Sequence, residues 1–231
     1  MAQKDEQRLG ESVRIGSSTV LISALIFVSA LLVIRAELAE NQPQTYIFKV
    51  TTMLLIMVVA WSALEPPASI YKRLIIVGLA ISLLGDVLLM VPYDLFLPGL
   101  VAFLIAQIVY TAAFIKVGGF YRSIVGALPF LAYGLLILYF LGPDLDDMLA
   151  PVLFYLVAIL TMIWQAFGQW RQTGSTRALL AFTGAAFFVV SDTALAFNRF
   201  GAAIELAPLI ILGTYFLAQW LIALSAGAEH H

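Results

Sequence analysis

The chain has 231 residues, of which 62% are hydrophobic and 11% charged, with a mean hydropathy of +1.00. Soluble domains carry about 25% charged residues, so an ordinary globular protein is excluded. The net charge of −2 argues against a nucleic-acid partner, and the absence of cysteine with histidine only at His230 and His231 leaves no disulfide framework, usual zinc site, Ser-His-Asp triad or Cys-His pair.

Residues 1–15 are polar (Lys4, Asp5, Glu6, Arg8, Glu11, Arg14) and read as a cytoplasmic tail with no cleavable signal pattern. Residues 16–227 read as one transmembrane helical domain, and residues 228–231 as the remnant of a purification tag. The expected fold is all-α, a polytopic bundle of about eight spans, each near the ~20 residues that a bilayer core requires. They fall at 16–35, 46–64, 72–91, 95–116, 122–141, 149–170, 177–198 and 206–226. The breakers between them are Pro43, Pro66-Pro67, Pro92, Gly118-Gly119, Gly142-Pro143, Gly174 and Gly201.

Basic residues set the orientation. Nine (Lys4, Arg8, Arg14, Lys72, Arg73, Lys116, Arg122, Arg171, Arg177) fall on the side of the N-terminus, against three (Arg35, Lys49, Arg199) on the other. Both termini are therefore expected in the cytoplasm, with the chain in a bacterial inner membrane. A possible 4+4 tandem repeat appears as an echo between the halves. Gly78 and Asp86 match Gly184 and Asp192, Ala106-Gln107 matches Ala218-Gln219, and Thr52-Met53 matches Thr161-Met162.

Two carboxylates interrupt otherwise apolar spans, Asp86 after Gly85 and Asp192 after Ser191. A charged side chain at the bilayer centre costs ~2.5–3.5 kcal/mol on insertion scales, so each calls for a partner or a purpose. Asp86 lies thirteen residues beyond Arg73 and Asp192 fifteen beyond Arg177. At 1.5 Å per residue both reach about 20–22 Å into a core about 30 Å thick, where they can face each other. Two carboxyls sharing an apolar site cannot both ionise freely, which leaves one acid and one base for acid–base hydrolysis. These two are the candidate catalytic residues.

Ser82 shares a helical face with Asp86 and Gly78, Gln107 shares one with Tyr110, and Tyr215 shares one with Gln219. Such groups tie helices together or meet substrate. Lys49 and Arg199 are candidate phosphate ligands at the outer rim, the alternative being that they snorkel to the interface. Tyr46, Trp61, Tyr93, Tyr121 and Trp170 near span ends read as interfacial anchors. Gln165 is a further polar residue deep in the bundle.

With those residues in view, the chain resembles the YhhN-like lysoplasmalogenase family. The likeness rests on Ser82-Leu-Leu-Gly-Asp86-Val-Leu-Leu-Met90, Gly99 to Phe103, Tyr110 to Phe114, Phe188-Val-Val-Ser-Asp192-Thr-Ala-Leu-Ala196, Asn198-Arg199-Phe200 and Thr214-Tyr215-Phe-Leu-Ala-Gln219. Gln107 stands where the family commonly has His, and Val50 where it commonly has Pro. The resemblance implies hydrolysis of the vinyl ether bond of a lysoplasmalogen, a lysophospholipid, to a fatty aldehyde and a glycerophospho-base. Cleavage of a vinyl ether needs an acid, a base and water, so no cofactor or metal is expected, and no protein partner is inferred beyond membrane lipid. The alternative is a proton- or cation-coupled transporter using the same carboxylates.

Overall fold

The computed structural model describes residues 17–62 and 69–227. The polar tail with Lys4, Arg8 and Arg14, the Pro66-Pro67 pair and residues 228–231 lie outside the described residues. Eight α-helices follow one another: α1 Ser17–Leu38, α2 Gln42–Ser62, α3 Ile70–Met90, α4 Phe96–Gly118, α5 Ile124–Leu141, α6 Leu149–Thr173, α7 Thr176–Phe200 and α8 Ala207–Leu224. All eight are long and apolar enough to cross a membrane, and among the described residues there is no strand. The chain is a multi-pass membrane protein. Inside lipid each backbone N–H and C=O must be satisfied within its own segment, which continuous helices achieve.

The helices begin where their sequences permit. Pro43 does not break the chain between spans but sits in the first turn of α2, where its missing N–H is not needed. Pro208 does the same at the start of α8. Ser123 and Ser175 cap α5 and α7, their hydroxyls accepting from the N–H groups of Gly126 and Ala178. Between α5 and α6, Gly142–Asp144 and Asp146–Met148 form two 3₁₀ turns that carry the acidic loop.

Close helix pairs are built on small residues, because lipid offers no hydrophobic drive between helices and contact depends on fit. Gly78 on α3 lies under the Tyr110 ring of α4, where any Cβ would collide with that ring. Gly184 on α7 lies against α8, and a Cβ there would stand 2.9 Å from the Ala218 carbonyl oxygen and 2.8 Å from Ile222.

These two contacts turn the sequence echo into a packing rule. Moving 106 residues along takes Gly78 to Gly184, and moving 112 takes Tyr110 to Ile222, the same shift that takes Ala106-Gln107 to Ala218-Gln219. A second pair obeys the same shifts. Gly99 approaches Gly85, while Ile211 accepts a hydrogen bond from the Ser191 hydroxyl at 3.0 Å. Thus α3 sits on α4 as α7 sits on α8. Met53 and Met162, from the third echo, are both fully buried on α2 and α6.

Candidate active site

Asp86 and Asp192 come from equivalent places in the two halves, yet their surroundings differ. Asp86 is buried, 2% exposed. Lys49 Nζ of α2 stands 3.3 Å from its Oδ1, and the Tyr215 hydroxyl of α8 donates to its Oδ2 at 2.6 Å. An edge-packed trio of rings, Phe103, Phe188 and Tyr215, holds Tyr215 in place, with centroids 5.9–6.2 Å apart. A buried carboxylate with a cation and a hydroxyl on separate oxygens is balanced in charge and hydrogen bonding.

Among the described residues no cation is paired with Asp192. Its Oδ2 accepts from the Tyr155 hydroxyl of α6 and, at 3.4 Å, from Gln107 Nε2 of α4. Asp192 also forms part of the wall of an elongated cleft among α4, α5, α6 and α7. That wall is apolar except for Asp192, Thr193, Tyr133 and Tyr155, and the Tyr133 and Thr193 hydroxyls are bonded to each other at 2.8 Å. Asp86 does not line the cleft. One carboxyl therefore opens on the greasy chamber and the other lies sealed behind it.

Between them run the polar side chains that the sequence singles out. The Tyr110 hydroxyl donates to Gln219 Oε1 at 2.8 Å, and Ser82, Gln107, Tyr110 and Gln219 are all fully buried. Gln165 is elsewhere, binding the backbone N–H and carbonyl of Tyr121 at 2.9 and 3.2 Å, so it joins α6 to the segment before α5.

The two basic residues expected at an outer rim separate. Lys49 points into the bundle, its side chain 13% exposed, with its ammonium on Asp86. The reason is local: a cation about two turns inside α2 meets a buried carboxylate sooner than the interface. Arg199 does sit at the end of the bundle, 48% exposed. It is 3.3 Å from Asp94 and stacked over Phe96 with its guanidinium carbon 5.0 Å from the ring centre. Arg199 and Asp94 edge a polar hollow that adjoins the apolar cleft through Leu89 and Phe96.

Tyr155 is the residue that sequence reading missed. The echo contained it: the shift of 109 that relates Thr52-Met53 to Thr161-Met162 also relates Tyr46 to Tyr155. Tyr46 donates to the Met90 carbonyl, one turn beyond Asp86, whereas Tyr155 reaches the carboxylate itself. Among the described residues no three His, Cys, Asp or Glu side chains are grouped to hold a metal ion.

The sequence model of the YhhN family matches residues 44–226. The chain belongs to the YhhN family. Over 152 residues, 64% of this chain, it is 38% identical to a protein of Sus scrofa named lysoplasmalogenase TMEM86B, spanning 61% of that protein's length. Over 159 residues, 66% of this chain, it is 32% identical to the lysoplasmalogenase TMEM86A of Homo sapiens, spanning 64% of it. Over 184 residues, 79% of this chain, it is 28% identical to the membrane protein YhhN of Escherichia coli O157:H7, spanning 86% of it. No solved structure matches the chain. The matched region contains Lys49, Asp86, Tyr155 and Asp192, so the site described above lies within the family's domain.

Proposed function

We propose that the protein hydrolyses the vinyl ether bond of a lysoplasmalogen, releasing a fatty aldehyde and a glycerophospho-base, with Asp86 and Asp192 as the acid–base pair. The observation that carries this reading is a carboxyl, Asp192, in the wall of an apolar cleft, with a second, buried carboxyl, Asp86, at the equivalent turn of α3. Protonation of the alkenyl carbon gives an oxocarbenium ion, which water captures. One carboxylic acid and one carboxylate supply both steps, as paired carboxylates do in glycoside hydrolysis. The names of the mammalian relatives agree with this chemistry.

The cleft accepts the hydrocarbon chain and the polar hollow accepts the headgroup. Arg199 lies seven residues beyond Asp192 on α7, hence about 10 Å along the helix. That separation is comparable with the path from a lysolipid phosphate through its glycerol to the first chain carbons. Arg199 thus serves the phosphate, while Ser82, Gln107, Tyr110, Tyr215 and Gln219 shape the polar side of the reacting centre. The basic bias supports a reading with both termini in the cytoplasm and this end of the bundle on the opposite side. Helices α3 and α7 run unbroken through their aspartates, which favours hydrolysis over transport, since transporters tend to unwind helices at their ion sites.

The test is direct. Purified protein in detergent, with no gradient, should release aldehyde from an alkenyl lysophospholipid and none from its saturated alkyl ether analogue. Well-folded protein that releases no aldehyde, but moves protons or cations across a vesicle membrane, would replace hydrolysis by transport.

A further inference from the structure

The polar cluster has more hydrogen-bonding capacity than the protein uses. Ser82 Oγ, Gln107 Oε1 and Gln219 Nε2 are buried and have no hydrogen-bond partner among the described residues. Interior polar atoms are nearly always paired, with protein or with water. Ser82 of α3 and Gln219 of α8 flank Asp86, whereas Gln107 of α4 reaches Asp192 with its Nε2. Ser82 is one turn before Asp86, and Gln219, which accepts from the Tyr110 hydroxyl, is one turn beyond the Tyr215 that binds Asp86. A buried water needs two to four polar partners, and the Ser82 hydroxyl, the Gln219 amide and the Asp86 carboxylate provide three.

The other carboxyl is arranged differently. Both donors on Asp192 fall on Oδ2, both are neutral, and the residue opens on apolar wall. An anion there would face apolar wall with no counter-charge among the described residues, whereas the Lys49 ammonium keeps Asp86 an anion.

Building on the activity proposed above, we infer that the aspartates divide the hydrolysis between them. Asp192 gives its proton to the lipid, and Asp86 with Ser82 and Gln219 forms a binding site for the attacking water. The Asp192 proton adds to the chain carbon β to the ether oxygen, the alkene π pair forming the new C–H bond and an oxygen lone pair forming the oxocarbenium. Water attacks the carbon joined to that oxygen and yields a proton to Asp86. The hemiacetal then breaks. The Asp192 carboxylate takes the hydroxyl proton, the carbonyl forms, and Asp86 returns its proton to the departing glycerol oxygen. One water is consumed and both carboxyls regain their starting states. Tyr155 and Lys49 are positioning residues, acting through Asp192 and Asp86.

Hydrolysis in D2O separates the halves, because an oxocarbenium that is formed but not captured returns its carbon-bound hydrogen and leaves deuterium in the lipid. Recovered alkenyl lysophospholipid is examined by mass spectrometry for deuterium at the carbon β to oxygen. Asp86→Asn and Gln219→Leu should lose hydrolysis about 10²–10⁴-fold yet label the recovered lipid. Ser82→Ala should behave likewise with about a tenfold loss. Asp192→Asn and Tyr155→Phe should lose hydrolysis and labelling together, Tyr155→Phe through kcat with KM unchanged. Should Asp86→Asn fail to fold around an unbalanced Lys49, the uncharged Gln219→Leu and Ser82→Ala variants carry the same test. Labelling by Asp192→Asn, or by none of the folded variants, overturns the division. An inert but folded wild type overturns instead the activity on which it rests.

Discussion

The two halves of the bundle pack by one rule and part company at their acids. Asp86 and Asp192 occupy equivalent turns of α3 and α7, each helix nested on its successor through a glycine at the same offset. Around them the equivalence fails. The residue that faces Asp86 from α2 is Lys49, and a shift of 109 leads to Ala158 on α6, which carries no charge. In exchange, α6 presents the Tyr155 hydroxyl to Asp192, where the equivalent Tyr46 is spent on a backbone carbonyl. A repeated scaffold thus delivers two carboxyls to equivalent turns of α3 and α7, and Lys49, Tyr155 and the cleft make their surroundings different. The acid–base reading proposed above needs one carboxyl protonated and the other ionised at the start of the cycle, and unequal surroundings fix which is which.

The largest effect expected of breaking this comparison is on turnover. Asp86→Asn and Asp192→Asn should each lower kcat about 10²–10⁴-fold, and the double variant should be scarcely worse than the worse single, because the two act as one unit. Full additivity in aldehyde release would mean that they work independently.

Stability should separate them next. Lys49→Met leaves the buried Asp86 without its cation and should cost about 3–5 kcal/mol in unfolding measurements, or prevent folding. Asp192→Asn removes a carboxyl from apolar surroundings and should leave stability unchanged or raised. Equal losses in the two variants would remove the asymmetry.

The scaffold itself can be probed through its glycines. At Gly184 an added methyl meets the α8 backbone, which cannot yield without moving the helix, so Gly184→Ala should destabilise by about 1–3 kcal/mol. At Gly78 the obstacle is the Tyr110 ring, and the cost should appear as a displaced Tyr110–Gln219 bond and lower kcat. Circular dichroism melts and turnover, measured on both variants, distinguish the two.

Smaller effects belong to the rim. Arg199→Gln should raise KM more than it lowers kcat, the signature of lost uniform binding. Asp94→Asn breaks only an exposed ion pair, worth about 0–1 kcal/mol, and should leave the melting curve almost where it was.

Much of this site is legible in the chain as written. An aspartate inside an apolar run announces itself, because the bilayer penalises it whatever its neighbours. Small residues one or two turns before it mark the face that a partner helix covers, as Gly78 and Ser82 do for Asp86. Lys49 reads less truly from sequence. A lysine a turn or two inside a span can reach either the interface or an interior acid, and only the rotation of α2 against α3 chooses between them. Tyr155 is harder still, since one tyrosine among nine has no local mark of function.

By itself the sequence determined the class of structure, the eight spans and the two acids. Those depend on quantities summed along one segment: twenty or so apolar residues either satisfy a bilayer or do not, and a lone carboxylate within them is costly wherever the segment lies. Tertiary structure decided how the acids differ. Which carboxyl meets Lys49, which opens on the cleft and which amide atoms are left unpaired between them all follow from the depth and rotation of α2, α4, α6 and α8 about the two aspartate helices. Side-chain interdigitation between distant segments sets those rotations, and no single segment carries that information.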